Sequence, residues 1–217
     1  EQLDEEAILG RAAELLANGA VLGWFQGRME FGPRALGSRS ILGDARLASM
    51  QSTINQKVKF RESFRPFAPA VLEERAGDYF DLTAESPYML LVADVAQSQR
   101  LAGPADEPPG FERLKHERSM LPAVTHVDGS ARVQTVGRER HPLFWRLLRQ
   151  FEQRTGCGVL LNTSFNVRGE PVVCTPDDAY RCFVSTAMDW LAIGPFLLSR
   201  QQQPVEKPRT TFDPIPD

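Results

Sequence analysis

Between Gly27 and Arg65 eight Lys or Arg residues stand among three carboxylates, in a chain whose net charge is −3. The cations are Arg28, Arg34, Arg39, Arg46, Lys57, Lys59, Arg61 and Arg65; the acids are Glu30, Asp44 and Glu62. Local acids are too few to pair with all of them. A fold that gathers this stretch must therefore present cations to an anion from elsewhere, and phosphates suit guanidinium groups best. The same stretch holds Gly32-Pro33-Arg34-Ala35-Leu36-Gly37. Two glycines and a proline in six residues exclude a regular helix or strand, so the segment reads as a loop whose backbone approaches something closely. The proline ahead of Arg34 fixes the backbone there, which aims the guanidinium.

The 217 residues fit one sizeable domain. Nothing approaches the ~18 consecutive apolar residues of a membrane-spanning helix, and no signal peptide is visible. The opening at Glu1 suggests a piece cut at a domain boundary. Cys157, Cys174 and Cys182 are odd in number and contain no Cys-x-x-Cys pair, which argues against a disulfide framework or a zinc site and for a reducing cytoplasm. His116, His126 and His141 are scattered, with no metal-ligand spacing.

Apolar residues at Ile8, Ala12, Leu15 and Leu16 predict a helix over 4–18, ended by Gly19. Strands are expected over 20–25, 88–95, 159–165 and 190–198, and helices over 47–58 and 142–154. Residues 66–72 read as extended, and their prolines suggest a sheet edge. Asp128-Gly129 between two apolar runs, 123–127 and 131–136, predicts a hairpin. Thr175-Pro176-Asp177-Asp178 is a helix start. Residues 101–118 read as a polar, mobile surface loop, and 201–217 as a proline-rich tail beyond a single domain of residues 1–200. The pattern is mixed α/β, a sheet with helices packed on it.

Neither a Gly-x-x-x-x-Gly-Lys-Ser/Thr loop nor a Gly-x-Gly-x-x-Gly motif is present, so phosphate binding must rest on side chains and irregular backbone. Arg34, Lys59 and Arg65 are the favoured ligands. Arg34 and Arg65 adjoin prolines and apolar residues and are expected to be partly buried, where an unpaired cation demands an anion. Phe60 and Phe64 are expected to pack the base of that cluster. Arg132 is left over after turn chemistry accounts for Asp128 and Gly129. Leu161-Asn162-Thr163-Ser164-Phe165-Asn166 is an apolar strand ending in hydrogen-bonding side chains, the place where α/β proteins put ligand groups. Ser164 has no histidine near it in sequence and reads as a hydrogen-bonding residue, not a nucleophile. Glu30 and Asp44 are candidates for a magnesium bridge to phosphates or, preferentially, for arginine partners. A non-catalytic module binding nucleotide or RNA through the same cations is the alternative, although the acidic net charge weighs against nucleic acid.

Five blocks carry a resemblance. They are Gly27-Arg-Met-Glu-Phe-Gly-Pro-Arg-Ala-Leu-Gly-Ser-Arg-Ser-Ile-Leu42, Lys59-Phe-Arg-Glu-Ser-Phe-Arg-Pro-Phe-Ala-Pro69, Ser86-Pro-Tyr-Met89, His126-Val-Asp-Gly-Ser-Ala-Arg132 and Leu161-Asn-Thr-Ser-Phe-Asn-Val-Arg-Gly-Glu-Pro171. In this order, across residues 5–200, they resemble the C-terminal region of NodU/CmcH-type carbamoyltransferases. The resemblance implies a YrdC-like α/β fold that binds ATP, with Mg2+, and carbamoyl phosphate, and forms carbamoyl-adenylate with release of pyrophosphate. It also implies a separate N-terminal domain of the actin-like ATPase type that moves the carbamoyl group to an acceptor hydroxyl. By the same resemblance Arg34, Lys59, Arg65 and Arg132 hold phosphates and the carbamoyl group, Asn162 and Ser164 bind the nucleotide side, and Met89 lines the pocket.

Overall fold

Eight strands and five helices form among the described residues, 1–102 and 116–204 of a computed structural model. In chain order they are α1 (Glu5–Ala17), β1 (Leu22–Phe25), β2 (Arg39–Asp44), α2 (Ala48–Lys57), β3 (Ala68–Leu72), α3 (Ala76–Tyr79), β4 (Leu91–Asp94), β5 (Ser130–Val136), α4 (Pro142–Thr155), β6 (Val159–Ser164), α5 (Pro176–Val184), β7 (Trp190–Ile193) and β8 (Phe196–Ser199). The strands make one mixed sheet in the order β4-β5-β3-β6-β2-β1-β7-β8. The expected α/β class, a mixed sheet with packed helices in one domain, is what forms.

The helices follow local chemistry. Asp4 caps α1 by accepting the Ala7 N–H, and Glu5 and Glu6 meet the positive end of the helix. Ile8, Leu9, Ala12, Ala13 and Leu16 bury one face of α1, and that face packs most extensively on α4. In α4 the buried set is Phe144, Leu147, Leu148 and Phe151, and Gly156 ends the helix in the left-handed region at φ 74°. Thr175 and Asp178 form a reciprocal capping box at the start of α5.

The sheet departs from the sequence reading in four places. First, β2 forms where no strand was expected, and all six of its residues are buried. Its charged members find partners within the protein: Asp44 accepts from Arg46 Nε and Nη2, and Arg39 lies over the Phe25 ring, 3.5 Å from the centroid, with its Nε buried and unpaired. Second, β3 is central, between β5 and β6, not an edge. Pro66 stands outside it, and Pro69 lies one residue before pairing with β5 begins at Ala70↔Gln134. The missing proline donor thus falls where the β5 ladder has not started. Third, the Asp128-Gly129 turn forms, but 123–127 is not a strand. β5 pairs instead with β4, Val92 facing Arg132, and with β3. Fourth, the expected strand 190–198 is a hairpin, β7 and β8, turning at Gly194 with φ 52°. The polar loop expected over 101–118 and the tail from 201 fall largely outside the described residues.

The Asp44–Arg46 pair tests the buried part of β2. Asp44 is inaccessible, whereas Arg46 keeps a third of its side chain exposed. Arg46→Ala leaves a carboxylate buried alone and should lower unfolding stability by on the order of 3 kcal/mol. Denaturant titration of the variant against the unsubstituted chain measures it, and a change within ~0.5 kcal/mol contradicts it.

Candidate functional site

Strand direction gathers the chemistry at one end of the sheet. β6 runs antiparallel to both β2 and β3, and β3 runs parallel to β5. The C-terminal end of β6 therefore lies beside the starts of β2, β3 and β5. Ser164 sits opposite Ser40, and Asn162 sits between Leu42 and Ala68. Arg132 stands on β5 and Asn162 and Ser164 on β6, whereas Arg34, Lys59, Arg65 and Met89 lie in loops.

The Gly32–Gly37 loop is fastened over this end. Asn162 Nδ2 donates to Ala35 O at 3.0 Å, Gln134 Nε2 to Leu36 O at 2.8 Å and Trp24 Nε1 to Gly37 O at 2.9 Å. Asn162 Nδ2 also donates to Gln134 Oε1 at 2.7 Å, so the two amides join across β3, where Ala68 and Ala70 leave room. Gly37 has φ 111°, and a Cβ there would stand 2.3 Å from Phe144 Cδ1; only glycine fits. Leu36, Ala68 and Met89 form a small apolar cluster under the loop.

Arg132 reaches the same place. Its Nη2 lies 3.9 Å from Met89 Sδ, and its Nε is buried without a partner. Burial, then the charge of Arg34, pushes Arg132 below the ordinary guanidinium value. Arg34 is therefore its electrostatic neighbour. Arg34 itself is exposed, as is Arg65. Both were expected to be partly buried; the glycine–proline tip and the 61–66 turn carry them out into solvent, where hydration removes the cost of an unpaired charge.

Lys59 lies deep on the α2 side. Its Nζ donates to Ser164 O, to Asn166 O at 3.0 Å and to Asn166 Oδ1 at 2.7 Å, with Ser164 Oγ at 3.3 Å. All these partners are uncharged. Burial, then the charge of Arg61, lowers Lys59 to about 7, with Cys182 pulling weakly the other way. Next to it α2 holds the 61–65 turn: Asn55 Oδ1 accepts from Arg61 Nε at 2.6 Å, and Asn55 Nδ2 and Gln51 Nε2 donate to Arg65 O. The aromatic beneath these cations is Phe67, whose ring centre is 5.0 Å from the Arg61 guanidinium carbon. Phe60 and Phe64, expected in that place, are exposed, and Phe60 takes a left-handed φ of 48° that turns the chain there. Burial, then Arg65, lowers Arg61, which places Arg65 beside it.

The structure thus makes two cation groups at one sheet end, Arg34 with Arg132 and Lys59 with Arg61 and Arg65. A cleft of about 450 Å³ is lined by Phe64 and Pro66, which flank Arg65 in the chain, and by Thr125, His126 and Asp128; Arg34, Lys59, Arg65 and Arg132 are not among its lining residues. His126 is an electrostatic neighbour of Arg132, and burial lowers its pKa. Among the described residues none of Arg34, Lys59, Arg65 or Arg132 makes a salt bridge.

Sequence reasoning missed Gln134 and Asn55. The two-residue spacing Arg132-x-Gln134 puts that pair on one side of an extended chain, and that was the available signal for Gln134. Glu30 and Asp44 take other parts than metal binding: Asp44 pairs with Arg46, and Glu30 accepts backbone N–H groups. No group of three His, Cys, Asp or Glu able to hold a metal occurs among the described residues. Nor is any helix among them long and apolar enough to cross a membrane.

A family model described as carbamoyltransferase C-terminus matches residues 13–200. An uncharacterized protein of Synechocystis, sll1178, is 60% identical over 202 residues, 92% of this chain and 33% of that protein. The nodulation protein NolO of Bradyrhizobium diazoefficiens is 45% identical over 197 residues, 89% of this chain and 33% of its own length. A 3'-hydroxymethylcephem-O-carbamoyltransferase of Streptomyces clavuligerus is 42% identical over 179 residues, 82% of this chain and 30% of the enzyme. The chain spans about a third of the length of these relatives.

The lowered pKa of Lys59 fixes a sign. Between about 7 and the ordinary lysine value of 10.5 the folded chain binds fewer protons at this group than the unfolded chain. Stability from this group therefore rises with pH across that window, by at most ~1.4 kcal/mol per pH unit. Denaturant unfolding of the chain and of Lys59→Met at pH 7 and pH 9.5 should show the difference between them moving in favour of the lysine form as pH rises. A pH-independent difference contradicts the lowered value.

Proposed function

The chain belongs to the carbamoyltransferase C-terminus family, and from that premise we propose that it binds ATP and carbamoyl phosphate and forms carbamoyl-adenylate. The observation that carries this reading is the pair of cation groups at one sheet end: among the described residues Arg34, Lys59, Arg65 and Arg132 make no salt bridge, and Glu62 stands beside only Arg61 and Arg65 of the second group. Lys59 is buried and Arg132 half-buried, where a charge without a counter-charge costs several kcal/mol on the order-of-magnitude scale. A polyphosphate supplies that counter-charge.

In this reading the fold is the YrdC-like one, and Arg34 and Arg132 take the phosphate and carbamoyl group. Lys59 and Arg65 face the phosphates of ATP, with magnesium arriving as part of the nucleotide substrate. Lys59 acts as a buried charge, since its N–H groups already reach Ser164 and Asn166. Ser164 and Asn162 border the nucleotide. Asn162 has both Nδ2 bonds committed to protein and its Oδ1 buried without a partner, so Oδ1 is the atom it can offer. Met89 walls the pocket beside Arg132.

Carbamoyl phosphate loses inorganic phosphate to water, and the resulting carbamate oxygen attacks the α-phosphorus of ATP. The α–β anhydride bond breaks and pyrophosphate leaves. Charge grows on the phosphoryl oxygens, and guanidinium groups already held in place stabilise it without reorganisation. No protein nucleophile is required. Transfer to an acceptor hydroxyl falls to an N-terminal domain of the actin-like ATPase type, within the two thirds of the relatives' length that this chain does not match.

Incubation with ATP, magnesium and carbamoyl phosphate should release pyrophosphate. Arg34→Ala and Arg132→Ala should each lower the rate by about a hundredfold, the scale of removing one preorganised group. Arg11→Ala, in an exposed pair with Glu14 on α1, should leave the rate unchanged. A folded sample that releases no pyrophosphate above a buffer blank contradicts the reading.

A further inference from the structure

Three backbone amides at the end of the loop that carries Arg34 are held by a single atom. Glu30 Oε1 accepts the backbone N–H groups of Leu36 at 2.7 Å, Ser38 at 2.7 Å and Arg39 at 3.2 Å. Three donors converging on one oxygen form the kind of cradle that elsewhere receives a free anion. Here a side chain from the loop's own start fills it. The remaining amide of the run, Gly37 N–H, goes to Ser40 Oγ at 3.1 Å. On the other side the Ala35, Leu36 and Gly37 carbonyls are taken by Asn162, Gln134 and Trp24.

Every peptide N–H from Leu36 to Arg39 is thus tied to a side chain, and Arg34 stands two residues before the first of them. Glu30 does not neutralise a cation to do this. Arg39 is its electrostatic neighbour, yet Arg39 Nη1 spends its bonds on the Gln26, Gly27 and Ser38 carbonyls. His141, at the start of α4, is the other neighbour. Without Glu30 three amides at the base of the loop lose their acceptor, which favours rearrangement of the loop toward water.

We infer that Glu30 is the positioning residue of Arg34: its carboxylate fixes the loop so that the Arg34 guanidinium stays beside Arg132, ready to receive a phosphate. The inference rests on the proposed binding of carbamoyl phosphate at this end of the sheet. It assigns Glu30 no contact with substrate.

Two measurements on the full chain decide it. Amide hydrogen exchange at Leu36, Ser38 and Arg39 should quicken at least tenfold in Glu30→Ala and much less in Glu30→Gln, which keeps an oxygen in the cradle. Unchanged exchange in Glu30→Ala overturns the clamp whatever the ligand does. Calorimetric affinity for carbamoyl phosphate should fall about tenfold in Glu30→Ala and in Arg34→Ala, with little further loss in the double variant, because one acts through the other. Glu30→Gln should recover most of the affinity. Multiplying losses, or full affinity in a Glu30→Ala variant whose amides exchange fast, overturn the positioning role. If the unsubstituted chain binds no carbamoyl phosphate, the functional reading fails with the role built on it, and exchange still judges the clamp.

Discussion

A buried amide pair joins the site loop to the sheet. Asn162 Nδ2 donates to Gln134 Oε1 across β3 at 2.7 Å, and each amide also gives an N–H to a carbonyl of the Gly32–Gly37 loop. Both side chains are almost wholly inaccessible, so their bonds to each other and to the loop replace bonds to water that cannot be made. The register that brings them together, Ala70 opposite Gln134 and Ala68 opposite Asn162, is also the register that sets Arg132 near the loop. One slipped residue would turn these side chains to the other face of the sheet. Fold and site are thus specified by the same contact.

Charge is arranged around that anchor with two different economies. Arg34 and Arg65 stand exposed to water, where an unpaired charge costs little. Lys59 and Arg132 are withdrawn from water and held by neutral oxygens and a thioether. Their proton affinities are lowered by burial and by neighbouring cations, Arg61 in one case and Arg34 in the other. A bound phosphate reverses both influences, since an opposite charge favours the protonated form. Anion binding and the electrostatic relief of these two groups are then one event.

Four of the five helices, all but the short α3, were legible because their determinants are local. The apolar spacing of α4 and the Thr175-Pro176-Asp177-Asp178 start of α5 can be read within a few residues. The strands depended on partners far away in sequence. β2 is half polar and looked like loop, because the Arg46 that satisfies Asp44 and the Phe25 ring under Arg39 lie outside it. The prolines of β3 suggested an edge, whereas the start of the β5 ladder lies beyond them. For the site, residue types and motifs pointed to Arg34, Arg132, Lys59 and Ser164, and the structure does set Arg34 by Arg132 and Lys59 by Ser164. The cradle at Glu30 was not legible: its donors are backbone N–H groups, which every sequence has, and only a fold makes three of them converge.

The central claim is that the cations at this end of the sheet share one bound polyphosphate and carbamoyl group. A crystal structure of the chain soaked with a non-hydrolysable ATP analogue and carbamoyl phosphate tests it most directly. The account predicts phosphate oxygens within hydrogen-bond reach of Arg34 and Arg132, with the nucleotide phosphates toward Lys59 and Arg65. Ligand bound on another face, with these four side chains unmoved and facing only water and protein, would contradict it.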